Sequence, residues 1–192
     1  MTRIVLASAS PRRRELLTQA GYTFTVVPST VDEATFSAAG TDPRRYAEEL
    51  ALAKARDVAR QCPEALVIGA DTIIDLDGEI IGKPADAADA ERITRKLFSR
   101  SHRVITGLAL VRLRDHTEIV CSDVTTVYPR QLTEDQIAAH IAGGSWQGKA
   151  GAYAIQETGD VLIDHIEGSL TNVVGLPLEL LQRLLDDIRT RQ

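Results

Sequence analysis

The apolar pattern of this chain changes period repeatedly, from the strand's two residues to the helix's ~3.6, and that alternation restricts it to an α/β fold. Arg3–Ala7 (RIVLA) reads as a short buried strand, followed by a helix over Pro11–Ala20 that Gly21 stops. Thr23–Val27 is a second strand, and Pro28–Thr41 a loop carrying Asp32 and Glu33. Asp42 as N-cap and Pro43 at the first helical position open a helix that runs to Gln61. Ala65–Ala70 (ALVIGA) is the segment most like a buried strand. Thr72–Leu76 and Glu79–Gly82 follow, joined at Asp77-Gly78, a strong hairpin signal. A helix over Ala87–Phe98 precedes a longer hairpin, His102–Arg114 and Thr117–Tyr128, turning at Asp115-His116. Thr133–Ile141 is helical, Gly143–Gly151 a glycine-rich loop, Val161–Glu167 a strand, and Pro177–Arg189 a last helix with Leu178, Leu181 and Leu185 on one face. There is no internal repeat, linker or low-complexity stretch.

Composition narrows the function classes. With 192 residues the chain has the length of one domain. A formal net charge of −5 and only 4% aromatic residues argue against a nucleic-acid coat, which needs a basic face. Two unpaired cysteines, Cys62 and Cys121, suit a reducing compartment. No apolar run approaches the ~20 residues of a membrane span, and MTRIVLASAS carries no signal-peptide pattern. The expectation is a cytoplasmic protein without membrane or nucleic-acid partners.

Three constellations could carry chemistry. In Ser8-Ala9-Ser10-Pro11-Arg12-Arg13-Arg14 a strand ends, a helix begins, and arginines crowd its first turn. Cations there repel the helix dipole unless an anion binds, so a phosphate cradle stands level with a solvated basic turn. Lys54 interrupts the small apolar stripe Ala47, Ala51, Val58; it either snorkels to the helix edge or faces a cleft. Asp71, after ALVIGA, stands where α/β folds commonly place ligand chemistry. A two-residue turn at Asp77-Gly78 places Thr72 opposite Lys83, returning a lysine to the neighbourhood of Asp71. A structural ion pair explains that pairing equally well. Asp32 and Glu33 read as solvated loop charges unless they join Asp71 in an oxygen site for Mg²⁺. The four histidines show no metal-ligand spacing, and Trp146 reads as a packing plug.

Taken in order, LASASPRRREL, PSTVDE, LALAKA, VIGADT with GEIIGKP, SHRVITGLAL, KAGAYAIQ and IEGSLTNVVGLPLELL resemble the Maf family of nucleoside triphosphate pyrophosphatases. The resemblance implies one elongated α/β domain over residues 1–192, with a mixed sheet and two lobes around a central cleft, similar to the inosine-triphosphatase fold. It implies hydrolysis of nucleoside triphosphates to monophosphate and pyrophosphate with Mg²⁺ or Mn²⁺, a house-cleaning activity against non-canonical nucleotides, and a homodimer. Asp71 would accept the proton, and Glu33 would help with metal or water. Ser8, Arg12, Arg13, Lys54 and Lys83 would hold phosphates. Arg12, Thr72 and Gln156 match the group that prefers dTTP and UTP. Where the family commonly shows DKAGAYGIQG, this chain has Gly148, Ala154 and Glu157. The alternative function is a nucleotide-sensing protein that regulates cell division without turnover.

Overall fold

The computed structural model describes residues 3–156 and 162–190. Its centre is a mixed seven-stranded sheet in the order β2-β1-β3-β5-β6-β7, with β4 paired to β3. The strands are β1 (Ile4–Leu6), β2 (Phe24–Val26), β3 (Leu66–Leu76), β4 (Glu79–Ile81), β5 (His102–Arg112), β6 (Thr117–Pro129) and β7 (Ile163–Glu167). The helices are α1 (Pro11–Gln19), α2 (Pro43–Ala59), α3 (Ala87–Leu97), α4 (Glu134–Ala142), α5 (Leu170–Val174) and α6 (Leu178–Thr190). Among the described residues only β1 pairs in parallel, with β2 and β3, and the other ladders are antiparallel. No helix among the described residues is long and apolar enough to cross a membrane.

The long strands β3 and β5 run through both lobes. In the first lobe, Ile68, Ala70, Leu108 and Leu110 pack against Leu16 and Leu17 of α1 and Leu181, Leu185 and Ile188 of α6. The opposite face of the same strands, Val67, Ala109 and Val111, packs against Ala51, Ala55 and Val58 of α2. In the second lobe Ile74, Leu76 and Val104 meet Ala90, Ile93 and Leu97 of α3, with Trp146 filling the same core. The indole N–H donates to the Ile141 carbonyl at 3.0 Å, so the packing-plug reading of Trp146 holds.

Two findings differ from the sequence reading. The segments Ala65–Ala70 and Thr72–Leu76 form one continuous strand, because the antiparallel ladder with β5 runs unbroken from Val67 to Asp75, with Asp71 opposite Gly107. The hairpin register is as the turn dictates, with Ile74 opposite Ile81 and φ of 53° at Asp77 and 89° at Gly78. Its ladder ends there, short of Thr72 and Lys83. The Gly82 carbonyl accepts instead from the Gly151 amide at 3.1 Å, which draws the chain toward the glycine-rich loop. Thr72 finds its partner on the other edge, opposite Thr106. The last strand begins at Ile163; Val161, where the sequence starts it, lies outside the described residues, as does Glu157.

Candidate active site

The site arises from a break in sheet pairing. Along one edge of β3, β1 pairs as far as Ile68 and β4 begins at Ile74. Between them no strand of the described residues covers that edge, and a cleft of about 580 Å³ opens there, within the usual range for a small-molecule site. Ser8, Arg12 and Arg13 line it from the β1–α1 junction, Lys54 from α2, Asp71 and Thr72 from β3, and Lys83 from beyond β4. Glu33 and Gln156 also reach its wall. Ser8, Arg12, Arg13, Glu33, Lys54, Asp71, Thr72, Lys83 and Gln156 therefore border one cavity, and Asp32 does not.

Glycine sets the position of Lys54. A Cβ on Gly69 would lie 2.2 Å from the Ala51 carbonyl oxygen, and one on Gly107 would lie 2.2 Å from that of Ala47. Both are below any real contact, so these two glycines let the α2 backbone settle directly on β3 and β5. Residues alternate between sheet faces, which puts Asp71 on the α2 side beside Gly69. One helical turn beyond Ala51, the Lys54 ammonium reaches Asp71 Oδ1 at 2.6 Å and Glu33 Oε1 at 2.6 Å. Asp32, by contrast, caps the short turn over Glu33–Thr35, accepting from the Ala34 amide at 3.0 Å.

The two carboxylates differ in electrostatic setting. Burial raises the Asp71 pKa above the ordinary aspartate value, only partly offset by Lys54 and Arg13. Burial also opposes ionisation of Glu33, but there the hydrogen bond to Lys54 and the charges of Lys54, Lys83 and Arg13 prevail and lower its pKa. The cleft thus holds one carboxylate made more basic and one kept ionised, the separation expected of a proton acceptor beside an electrostatic partner.

The basic residues divide as well. Ser10 occupies the N-cap of α1 without a side-chain hydrogen bond, and Pro11 takes the first helical position. Arg12 and Lys83 make no hydrogen bond or ion pair to the described residues, which leaves their donors available to an anion. Arg13 is engaged with the protein. Its Nε donates to the Gly175 carbonyl at 2.8 Å, one terminal nitrogen to the Ala70 carbonyl at 2.8 Å and Ser8 Oγ at 3.2 Å, and the other to Thr72 Oγ1 at 3.1 Å. Ser8 also accepts from the Ser10 amide at 3.2 Å, so its hydroxyl shapes the turn into α1. Gln156 is exposed at the rim, where it shares a second hollow with Arg12, Gln147 and Lys149.

Sequence reasoning missed Tyr153, a buried wall of the cleft whose hydroxyl lies 2.8 Å from His102 Nε2. Burial lowers the His102 pKa to about 4, so the ring is neutral at physiological pH and serves this bond. The histidine that opens β5 and the tyrosine of KAGAY were each visible, but nothing local links residues so far apart in the chain.

The family model described as Maf-like protein matches residues 3–188. The chain belongs to the Maf family. A dTTP/UTP pyrophosphatase of Ruminiclostridium cellulolyticum is 41% identical over 191 residues, covering 100% of this chain and 98% of that protein. Another, of Geotalea uraniireducens, is 49% identical over 175 residues, covering 91% and 89%. The Staphylococcus aureus Ham1 protein superposes with a TM-score of 0.55 at 17% identity, over 97% of this chain and 99% of that one. That likeness speaks to the fold, and it agrees with the two-lobed mixed sheet of this Maf chain.

Proposed function

We propose that this Maf-family chain hydrolyses dTTP and UTP to the nucleoside monophosphate and pyrophosphate. The observation that carries the reading is the uncovered edge of β3, where a buried, more basic Asp71 stands in one cleft with Arg12 and Lys83, cations without a partner among the described residues. Relatives named dTTP/UTP pyrophosphatase, matched over nearly the full chain, support the choice of substrate.

In this mechanism Asp71 takes a proton from water as its oxygen attacks the α-phosphorus. The bond from that phosphorus to the bridging oxygen breaks, and the electron pair leaves with pyrophosphate. Arg12 and Lys83 face the charge that moves onto the leaving group, the electrostatic share of such a reaction. Lys54 orients Asp71 and Glu33 through its two 2.6 Å bonds.

A divalent cation fits the donor set. Asp71 and Glu33 already converge on one cation, the Lys54 ammonium, and Mg²⁺ asks the protein for only one or two carboxylates, with phosphates and water completing its shell. Asp71 and Glu33 are the residues that would hold Mg²⁺ or Mn²⁺, which would neutralise phosphate charge there.

For the base, Gln156 offers an amide donor and acceptor at the rim, matching the O4 and N3–H edge of thymine or uracil. The deciding experiment measures pyrophosphate release from dTTP, UTP, CTP and GTP with Mg²⁺. Faster release from dTTP and UTP is expected. A purine preferred by tenfold or more overturns the base assignment, and tight binding without release overturns the enzyme.

A further inference from the structure

From Thr72 in the cleft wall a chain of hydroxyls runs inward, on the face of β3 away from Asp71, and the mechanism above does not use it. Thr106 and Asn172 are fully buried and lie outside the cleft wall. The direction of each hydrogen bond follows from proton counting. Thr106 has one hydroxyl proton, and it goes to the Asn172 carbonyl at 3.0 Å. The 2.9 Å contact between Thr106 Oγ1 and Thr72 Oγ1 is therefore donated by Thr72. Thr72 is left with lone pairs, one of which accepts from Arg13 at 3.1 Å. The relay runs one way, from guanidinium to Thr72 to Thr106 to the α5 backbone. Asn172 closes its far end, its amide donating to the Val104 carbonyl and to Thr125 Oγ1, each at 3.0 Å.

Arg13 is consumed by this arrangement. A guanidinium has five N–H donors, and four of them are placed on Gly175, Ala70, Ser8 and Thr72. The Ala70 carbonyl it holds belongs to the residue before Asp71. It also lies on the stretch of β3 that is paired with β5 on one edge and, among the described residues, with no strand on the other, so that edge lacks the support of a second ladder.

We infer that Thr106 and Thr72 are positioning residues, which aim Arg13 so that it splints the open edge of β3 and fixes Asp71, rather than contacts for the nucleotide base. This rests on the proposed hydrolysis and goes beyond it by moving Thr72 from base selection to alignment. Replacing Thr106 removes the acceptor of the Thr72 proton, so Thr72 turns to the Gly175 carbonyl, now 3.5 Å away, and its lone pair leaves Arg13.

The test compares Thr106→Val, Thr106→Ser and Thr72→Val for UTP and CTP hydrolysis, with the dissociation constant for pyrophosphate measured separately. Thr106→Val should lower kcat about tenfold, short of the ~100-fold that an ångström's misplacement costs. KM, pyrophosphate affinity and the UTP-to-CTP preference should stay within about twofold, the pattern of a lost transition-state interaction. Thr106→Ser, which keeps the hydroxyl, should restore kcat. Should Thr106→Val not fold, Thr72→Val cuts the same relay and must show the same split. Unchanged kcat, or a change in KM or base preference with kcat intact, overturns the inference. If the wild type binds pyrophosphate but releases none from any triphosphate, the hydrolysis reading itself has failed, which the binding arm separates from failure of the relay.

Discussion

Replacing Asp71 by asparagine separates chemistry from stability. The substitution keeps the shape of the side chain and removes its basicity. A carboxylate base contributes ~10²–10⁴-fold, so kcat should fall by that factor, equivalent to about 2.7–5.4 kcal/mol of barrier. Stability should move the other way or stay level. Burial raises the Asp71 pKa in the folded protein despite Lys54, so its ionised form is less favourable there than in the unfolded chain. A group with a raised folded pKa contributes stability below its unfolded pKa and loses that contribution as pH rises through the folded value. Asparagine does not titrate. The melting temperature of the variant relative to wild type should therefore rise between pH 3 and pH 7, with Lys54 keeping its 2.6 Å bond to Glu33. Pyrophosphate release under saturating UTP, beside thermal melts across that pH range, reads both quantities. A variant with near wild-type kcat would show that Asp71 is not the base. One that melts far below wild type at pH 7 would show that the carboxylate is a structural partner of Lys54 first.

Three further outcomes follow from the same geometry. Lys54→Met strands the nearly buried Asp71 without its cation and should destabilise the fold by about 3 kcal/mol at pH 7, the usual cost of breaking a buried pair, with the loss shrinking in melts at lower pH as Asp71 protonates. Gly107→Ala drives a Cβ to 2.2 Å from the Ala47 carbonyl oxygen; overpacking against backbone costs about 1–3 kcal/mol, so the melting temperature should fall by several degrees, and activity should fall with it because α2 carries Lys54. Chelation with EDTA should abolish pyrophosphate release and added Mg²⁺ should restore it; full activity in chelated buffer would leave Arg12 and Lys83 as the only charge stabilisers.

The elements were legible where local chemistry decides them. Asp77-Gly78 fixed both a turn and its register, and the left-handed backbone of His116, φ 55°, marks the second hairpin where Asp115-His116 placed it. Helix α5 was not legible. Five residues after a Ser169 cap are too few to show a helical period, and its position depends on the buried Asn172 bonding to β5 and β6. The break at Asp71 was misread for a related reason. A carboxylate interrupts an apolar strand in sequence, but the ladder opposite it continues through Gly107, whose missing side chain admits the helix that brings Asp71 its lysine.

The site shows the same limit more sharply in two adjacent residues. Arg12 and Arg13 are indistinguishable in sequence: same type, same basic turn, same resemblance to a phosphate cradle. On a helix, consecutive side chains diverge by ~100°, so one register faces the cleft rim and the next turns inward to Gly175 and β3. Which residue falls on which side depends on where β1 ends and how α1 packs, through Leu16 and Leu17, against α6. Those contacts span most of the chain. The sequence therefore identifies a set of cations at one cleft, whereas the division between an Arg12 without a partner among the described residues and an Arg13 bonded to the Ala70 carbonyl beside Asp71 belongs to the tertiary structure. A charge count over the motif cannot substitute for that division, because it does not distinguish a guanidinium whose donors are largely placed on the protein from one with no such bond among the described residues.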